Sequence, residues 1–254
     1  MTYRKLPRVY MIEKLLDNST ILIKDDIYHH LVNVLKIKYG DNFRVFNDSD
    51  GEFLAKLLTK KSATLIKKIR CNIILPPLYI SPCLIKSRSI SLMIQMATQM
   101  GITHIQPLIS NYSVVRDFNY SRWQKSVIAA SEQSERTNIP VIFKPVTLMD
   151  FLNQNNEQID LFVWGKVSYD DIKCDNNFLL YKRLASKISN ESVIAVIIGP
   201  EGGFSSKEEK LLELHSKSFS INLGSTILRC ETALIAIISC IKLLKVQSFD
   251  YNEL

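Results

Sequence analysis

From residue 1 to residue 72 the apolar positions come in short alternating runs, the signature of half-buried strands. "TILIK" from Thr20 predicts a strand. In "DDIYHHLVNVLKIKYGD" the residues Ile27, Leu31, Val34 and Leu35 fall at helical spacing, with Gly40 as the stop. "FRVFNDSDGEFLAKLLTK" alternates on both sides of a turn-rich centre, Asn47 to Gly51, and predicts a hairpin. "ATLIKKIR" adds a strand, so this region reads as a small barrel. Pro76, Pro77 and Pro82 then interrupt the pattern and set a boundary near 72–78.

Beyond that boundary the period switches between strand and helix. The strands are "LYISPCLI", "THIQPLIS", "DLFVWG", "SVIAVIIG" and "SFSINLG". The helices are "SISLMIQMATQMG", "YSRWQKSVIAASEQSER", "NNFLLYKRLASKIS", "SSKEEKLLELHSK" and "ETALIAIISCIKLLK". Such alternation predicts a mostly parallel sheet covered by helices on both faces. The reading is therefore an α/β chain with two domains, 1–72 and 73–254.

Charge and composition narrow the function. Residues 1–70 carry 14 Lys+Arg against 8 Asp+Glu, while the remaining 184 carry 18 against 17. A basic first quarter fits a polyanionic partner, most often nucleic acid, or solubility alone. The N-terminal residues lack the apolar core of a signal peptide, and no apolar run is long enough to span a bilayer. Cys71, Cys83, Cys174, Cys230 and Cys240 are odd in number, widely spaced and without a CxxC. That argues for a reducing cytoplasm and against a disulfide framework or zinc site. His29 and His30 would point about 100° apart on a helix, so no metal centre is expected.

Glycine is the most informative residue. There are 8 in 254, yet Gly199, Gly202, Gly203 and Gly224 lie within 26 positions, each cluster ending an apolar strand. Ligands in α/β sheets bind outside the carboxyl ends of strands, so a pocket is expected there. Neither GxGxxG nor GxxxxGK followed by Ser or Thr is present. Glu201 within the turn would repel a phosphate and suits a neutral or cationic ligand such as S-adenosylmethionine. Ser205 or Ser206, with Glu208 or Glu209, reads as a capping box. Arg229 and Glu231 open a helix with almost no polar face; they read either as site chemistry or as an internal ion pair. Gln133 and Arg136 close a helix before Pro140, where a solvated helix end is the simplest reading.

"IIGPEGGFSSKE", "LGSTILRCETA" and "EQSER", behind "PRVY", "HHLVNVLKIKYGD" and "FNDSDGEFLAKL", together resemble the RsmE family over nearly the whole chain. These are SPOUT-class methyltransferases acting on uridine N3 of small-subunit ribosomal RNA. The resemblance implies a PUA-like β-barrel before a SPOUT domain with a C-terminal trefoil knot, in a cytoplasmic homodimer acting on 16S rRNA in the small ribosomal subunit. It places the S-adenosylmethionine cradle on Ile198, Gly199, Pro200, Glu201, Gly202 and Gly203, and on Leu223, Gly224, Ile227 and Leu228, with Gly165 as a third wall. RNA contacts are expected at Arg4, Lys5, Arg8 and Gln133. For the chemistry, Arg229 is the first candidate and Arg136 the second for stabilising developing negative charge, and Glu231 would accept a proton or orient Arg229. Glu132 also matches. The chain departs from the family pattern at Met96, Gln99, Tyr112 and Thr226, where members usually carry Lys, Glu, Arg and Arg. The competing readings are a non-catalytic rRNA-binding assembly factor and a SPOUT enzyme acting on a ribose 2′-oxygen.

Overall fold

A computed structural model describes residues 3–85, 87–113, 118–166, 182–224 and 226–247. Cys174 and the first part of the helix expected over 176–189 lie outside these residues. The chain forms two compact units. The first comprises Met1–Ile74 and Ile128–Ile139; the second comprises Leu75–Val127 and Pro140–Leu254. The expected division at 72 and 73 thus needs one amendment: the segment Ile128–Ile139, read as part of the second domain, groups with the first.

In the first unit, β1 (Arg8–Tyr10), β2 (Thr20–Leu22), β3 (Asn42–Asn47), β4 (Gly51–Thr59) and β5 (Ser62–Arg70) form one sheet in the order β1-β3-β4-β5-β2. The expected hairpin is β3–β4, closing at Asn47 opposite Gly51. Register shifts between β4 and β5 mark bulges, which bend and twist a strand pair. Val9, Phe43, Val45, Ala55, Leu57 and Leu65 build the core from alternate positions. Helix α1 (Asp25–His29) packs Ile27 on it and loosens into a π-helical turn over His30–Val34 that buries Leu31. The wider turn shifts the face, so Val34, expected inside, is exposed.

The other face of β3 is also covered. The side chain of Arg8 is only 3% exposed; its Nε donates to Glu52 Oε1 at 2.8 Å. Its other nitrogens donate to the carbonyls of Ser131 (2.8 Å) and Arg136 (2.6 Å), and its guanidinium lies 3.5 Å from the centre of the Phe46 ring. Arg44 reaches Glu52 Oε1 at 3.2 Å and Glu135 at 3.1 Å, and Arg70 reaches Glu52 Oε2 at 2.7 Å. One buried carboxylate therefore binds three arginines, and carbonyls at and just beyond the end of α3 (Tyr120–Gln133) accept from Arg8 and Arg70. This is why Ile128–Ile139 belongs to the first unit. Part of the basic excess is thus consumed internally, and Arg8, expected to contact RNA, is buried in this network.

The second unit has a six-stranded sheet in the order β13-β11-β12-β6-β7-β9, parallel throughout. Its strands are β6 (Leu78–Pro82), β7 (His104–Ile105), β9 (Val141–Ile142), β11 (Leu161–Gly165), β12 (Ile194–Ile198) and β13 (Ser218–Ile221). Pro82 closes β6 rather than breaking it, because its position opposite Ile198 is the last of the ladder. "THIQPLIS" splits at Pro107 into β7 and β8 (Leu108–Ile109), and β8 pairs with β10 (Val146–Thr147). Among the described residues, helices α2 (Ser87–Gln99), α4 (Leu148–Gln154), α5 (Ser206–Leu214) and α6 (Cys230–Gln247) belong to this unit. Strands β9 and β10 and helix α4 are too short to show a clear period in the sequence. Along α6, Leu234, Ile237, Ile238, Ile241 and Leu244 are buried, whereas Leu243 is exposed.

Removing one member of a buried charge network leaves the others uncompensated, at a cost of about 3–5 kcal/mol. Glu52→Gln should destabilise the first unit by that order. Hydrogen exchange should then rise at β1, β3 and residues 131–136, while the amides of β11 and β12 stay protected.

Candidate active site

Strands β13, β11 and β12 are neighbours and parallel, so their C-terminal ends share one edge of the sheet. The loops leaving that edge wall a cavity of about 640 Å³, within the usual range for small-molecule sites. One wall is Gly165 and Lys166 after β11, a second is Ile198 through Phe204 after β12, and a third is Ile227 through Glu231, running into α6. Ser89, Glu209 and Ala233 close it.

The loop after β12 folds back on itself. Gly203 N–H donates to the Pro200 carbonyl at 2.9 Å, with Gly203 at φ +74°. A Cβ on Gly199 would stand 3.1–3.3 Å from the Phe204 ring, tighter than most carbon contacts, so the ring would have to shift. The ring meets the Trp164 indole edge-on with centroids 6.3 Å apart. Trp164 is in turn held by a 3.0 Å hydrogen bond from Nε1 to Ser218 Oγ. Gly199 is thus a glycine of close approach, as the sequence argument required. Gly224, at φ +113° with open space around its missing side chain, is instead a glycine of conformation. It and Leu223 are not among the described residues that line the cavity.

The capping alternatives resolve to Ser205 and Glu208. Ser205 Oγ accepts from Glu208 N at 3.4 Å and Glu208 Oε2 accepts from Ser205 N at 2.9 Å. Glu209, one residue on, lines the cavity instead. Three carboxylates therefore line the cavity: Glu201, Glu209 and Glu231. Against them stand Arg229 and Lys166, and Lys166 is paired with Glu213 at 2.8 Å. Neither Arg229 nor Glu231 makes an ion pair among the described residues, so the internal-pair reading of these two is not the one realised. The Cys230 thiol bridges two walls, donating to the Gly199 carbonyl at 3.3 Å. Burial, reinforced by Glu201 and Glu231, pushes its pKa up to about 11.

The sequence compares with known proteins at every level. Residues 75–242 match the RNA methyltransferase domain family and residues 23–68 the RNA methyltransferase PUA domain family. A curated relative, Ribosomal RNA small subunit methyltransferase E of Rickettsia conorii, is 39% identical over 94% of this chain and 96% of its own length. The chain belongs to the ribosomal RNA small subunit methyltransferase E family. Another member of this RsmE family, from Bacillus subtilis, is 28% identical over 87% of this chain and 89% of its own. Among solved structures, an RsmE from Neisseria gonorrhoeae bound to S-adenosyl methionine superposes with a TM-score of 0.76, at 25% identity, over 94% of this chain and 98% of that one. The second unit has the SPOUT-type α/β fold.

The RsmE site fits a sulfonium nucleoside on its own chemistry. No loop here has the glycine and lysine spacing of a phosphate cradle, the glycine wall admits a close ligand, and the carboxylates favour a cation. Ile198 through Gly203 would hold the cofactor with Ile227, Leu228 and Gly165. Arg136 and Gln133 belong to the first unit and are not among the cavity-lining residues. Arg136 is partly buried with Nη2 3.4 Å from Asn138 Oδ1, and burial lowers its pKa to about 10. Arg4, Lys5 and Gln133 are exposed. Sequence reasoning did not find Ser89, Lys166, Phe204, Glu209, Cys230 or Ala233. Lys166 and Phe204 directly follow predicted cradle residues, so adjacency was a usable signal; Ser89 comes from a distant helix and had none.

Alkylating reagents attack the thiolate. Alkylation of Cys230, followed by peptide mass mapping, should be slow at pH 7.5 and rise about tenfold per pH unit toward pH 11. The exposed Cys71 serves as the fast internal control.

Proposed function

We propose that this chain transfers the methyl group of S-adenosylmethionine to N3 of a uridine in 16S rRNA, acting in the cytoplasm as a homodimer on the small ribosomal subunit. The observation that carries the reading is the glycine-walled, carboxylate-lined cavity at the ends of three adjacent parallel strands, in a chain of the RsmE family. The same reading includes a C-terminal trefoil knot built around the loops after β12 and β13. Dimer formation is supported by α2 and α6, which pack together and expose Leu92 and Leu243.

When bound, the cofactor supplies a methyl group made electrophilic by its sulfonium. The protein must then position a uracil and manage one proton. N3 of uracil is an imide nitrogen whose lone pair is a poor nucleophile until the N–H proton leaves. Glu231, at the start of α6 in the cavity wall, accepts that proton. Arg229, unpaired with any described carboxylate, stabilises the negative charge that develops on the neighbouring uracil oxygen. Cys230 stands beside an alkylating group, and its raised pKa keeps it as the unreactive thiol. Arg4, Lys5 and Gln133 contribute RNA contacts from the first unit, and Arg136 is the second candidate for stabilising the charge that develops on the uracil.

The test is methylation of small subunits lacking the modification, read by mass spectrometry of the digested nucleosides. The expected product is 3-methyluridine, with Glu231→Gln lowering kcat by about 10² to 10⁴. A methyl group on ribose would point to the 2′-oxygen reading. RNA binding without methyl transfer would point to the assembly-factor reading. Full activity in Glu231→Gln would remove that residue from the proton step.

A further inference from the structure

The turn after β8 brings an aromatic ring to the cofactor loop. Ser110 to Ser113 closes with Ser113 N–H on the Ser110 carbonyl at 3.1 Å, and Ser110 N–H on Ser113 Oγ at 3.1 Å. Asn111 ties this turn to the next helix: its N–H donates to Glu208 Oε1 at 2.9 Å and its Nδ2 to Ser205 Oγ at 2.8 Å. The backbone of Tyr112 is therefore fixed relative to the GPEGG loop and the α5 cap. Its side chain lies along Gly202. A methyl group on that glycine would stand 3.6 Å from Tyr112 Cβ and 3.9 Å from Cγ and Cδ2. Gly202 itself lines the cavity, yet Tyr112 remains 53% exposed.

We propose that Tyr112 is the platform on which the target pyrimidine stacks, an inference that rests on the RNA methyl-transfer reading of the adjacent cavity. A base inside a stack hides its N3, so it must be unstacked to react, at a cost of a few kcal/mol. An aromatic face next to the pocket recovers much of that cost, and it works for a loop or single-stranded base. The ring is held by a backbone already pinned at Ser110, Asn111 and Ser113, so little further order is lost on binding.

The experiment compares wild type, Tyr112→Ala and Tyr112→Phe. It measures Kd for small-subunit RNA by filter binding, KM for the RNA, and cofactor Kd by calorimetry. Tyr112→Ala should weaken RNA binding and raise the RNA KM by roughly 5- to 100-fold, with cofactor Kd unchanged. Tyr112→Phe should stay within about twofold of wild type, since the ring carries the effect. An unchanged RNA Kd and KM in Tyr112→Ala would overturn the proposal. So would an equal loss of cofactor affinity, which would make Tyr112 a support of the cradle wall, or a Phe variant as weak as Ala. An inactive wild type whose RNA Kd still depends on the ring would overturn the methyl-transfer reading and leave the platform standing.

Discussion

The site depends on one close approach: Gly199 against the ring of Phe204. With that ring set on Trp164, and Trp164 bonded to Ser218, the chain leaving β12 must turn back within a few residues. The turn brings its glycines to the cavity wall together with Pro200 and Glu201. The same contact links all three strands of the site edge, since Trp164 belongs to β11 and Ser218 to β13. Packing on both neighbouring strands and the path of the loop thus meet at Gly199, where any Cβ would require the Phe204 ring to shift.

Charge is used in two opposite ways in the two units. In the first, Glu52 is surrounded by Arg8, Arg44 and Arg70, and each arginine is directed to a carboxylate or carbonyl. Such a cluster gives specificity of docking for the segment 128–139 rather than a surface for RNA. In the second unit Glu201, Glu231 and Arg229 stand at the cavity without ion-pair partners among the described residues. Groups left uncompensated in a cavity wall are the ones available to a ligand.

The sequence made the fold class legible because its periods are clean: alternation before Pro76, then strand and helix in turn. The glycine pairs marked the site because glycine is scarce elsewhere in the chain. What escaped were features set by tertiary context. Arg8 reads as a surface cation, and only its burial against Glu52 and Phe46 shows otherwise. Val34 obeys a helical period that the π-turn breaks. Gly224 and Gly199 look alike in sequence, yet one answers to a backbone angle and the other to a neighbouring ring. Glu208 and Glu209 are interchangeable as capping candidates, and the direction of the first turn of α5 assigns one to the cap and the other to the cavity.

The most direct measurement is calorimetric titration of S-adenosylmethionine into the wild-type chain and into Gly199→Ala, with circular dichroism to confirm that both are folded. The account predicts one cofactor bound per wild-type chain and at least a tenfold weaker Kd in the folded variant, because the added methyl group displaces Phe204 or enters the wall. No binding to the folded wild type, or equal affinity in both, would contradict it.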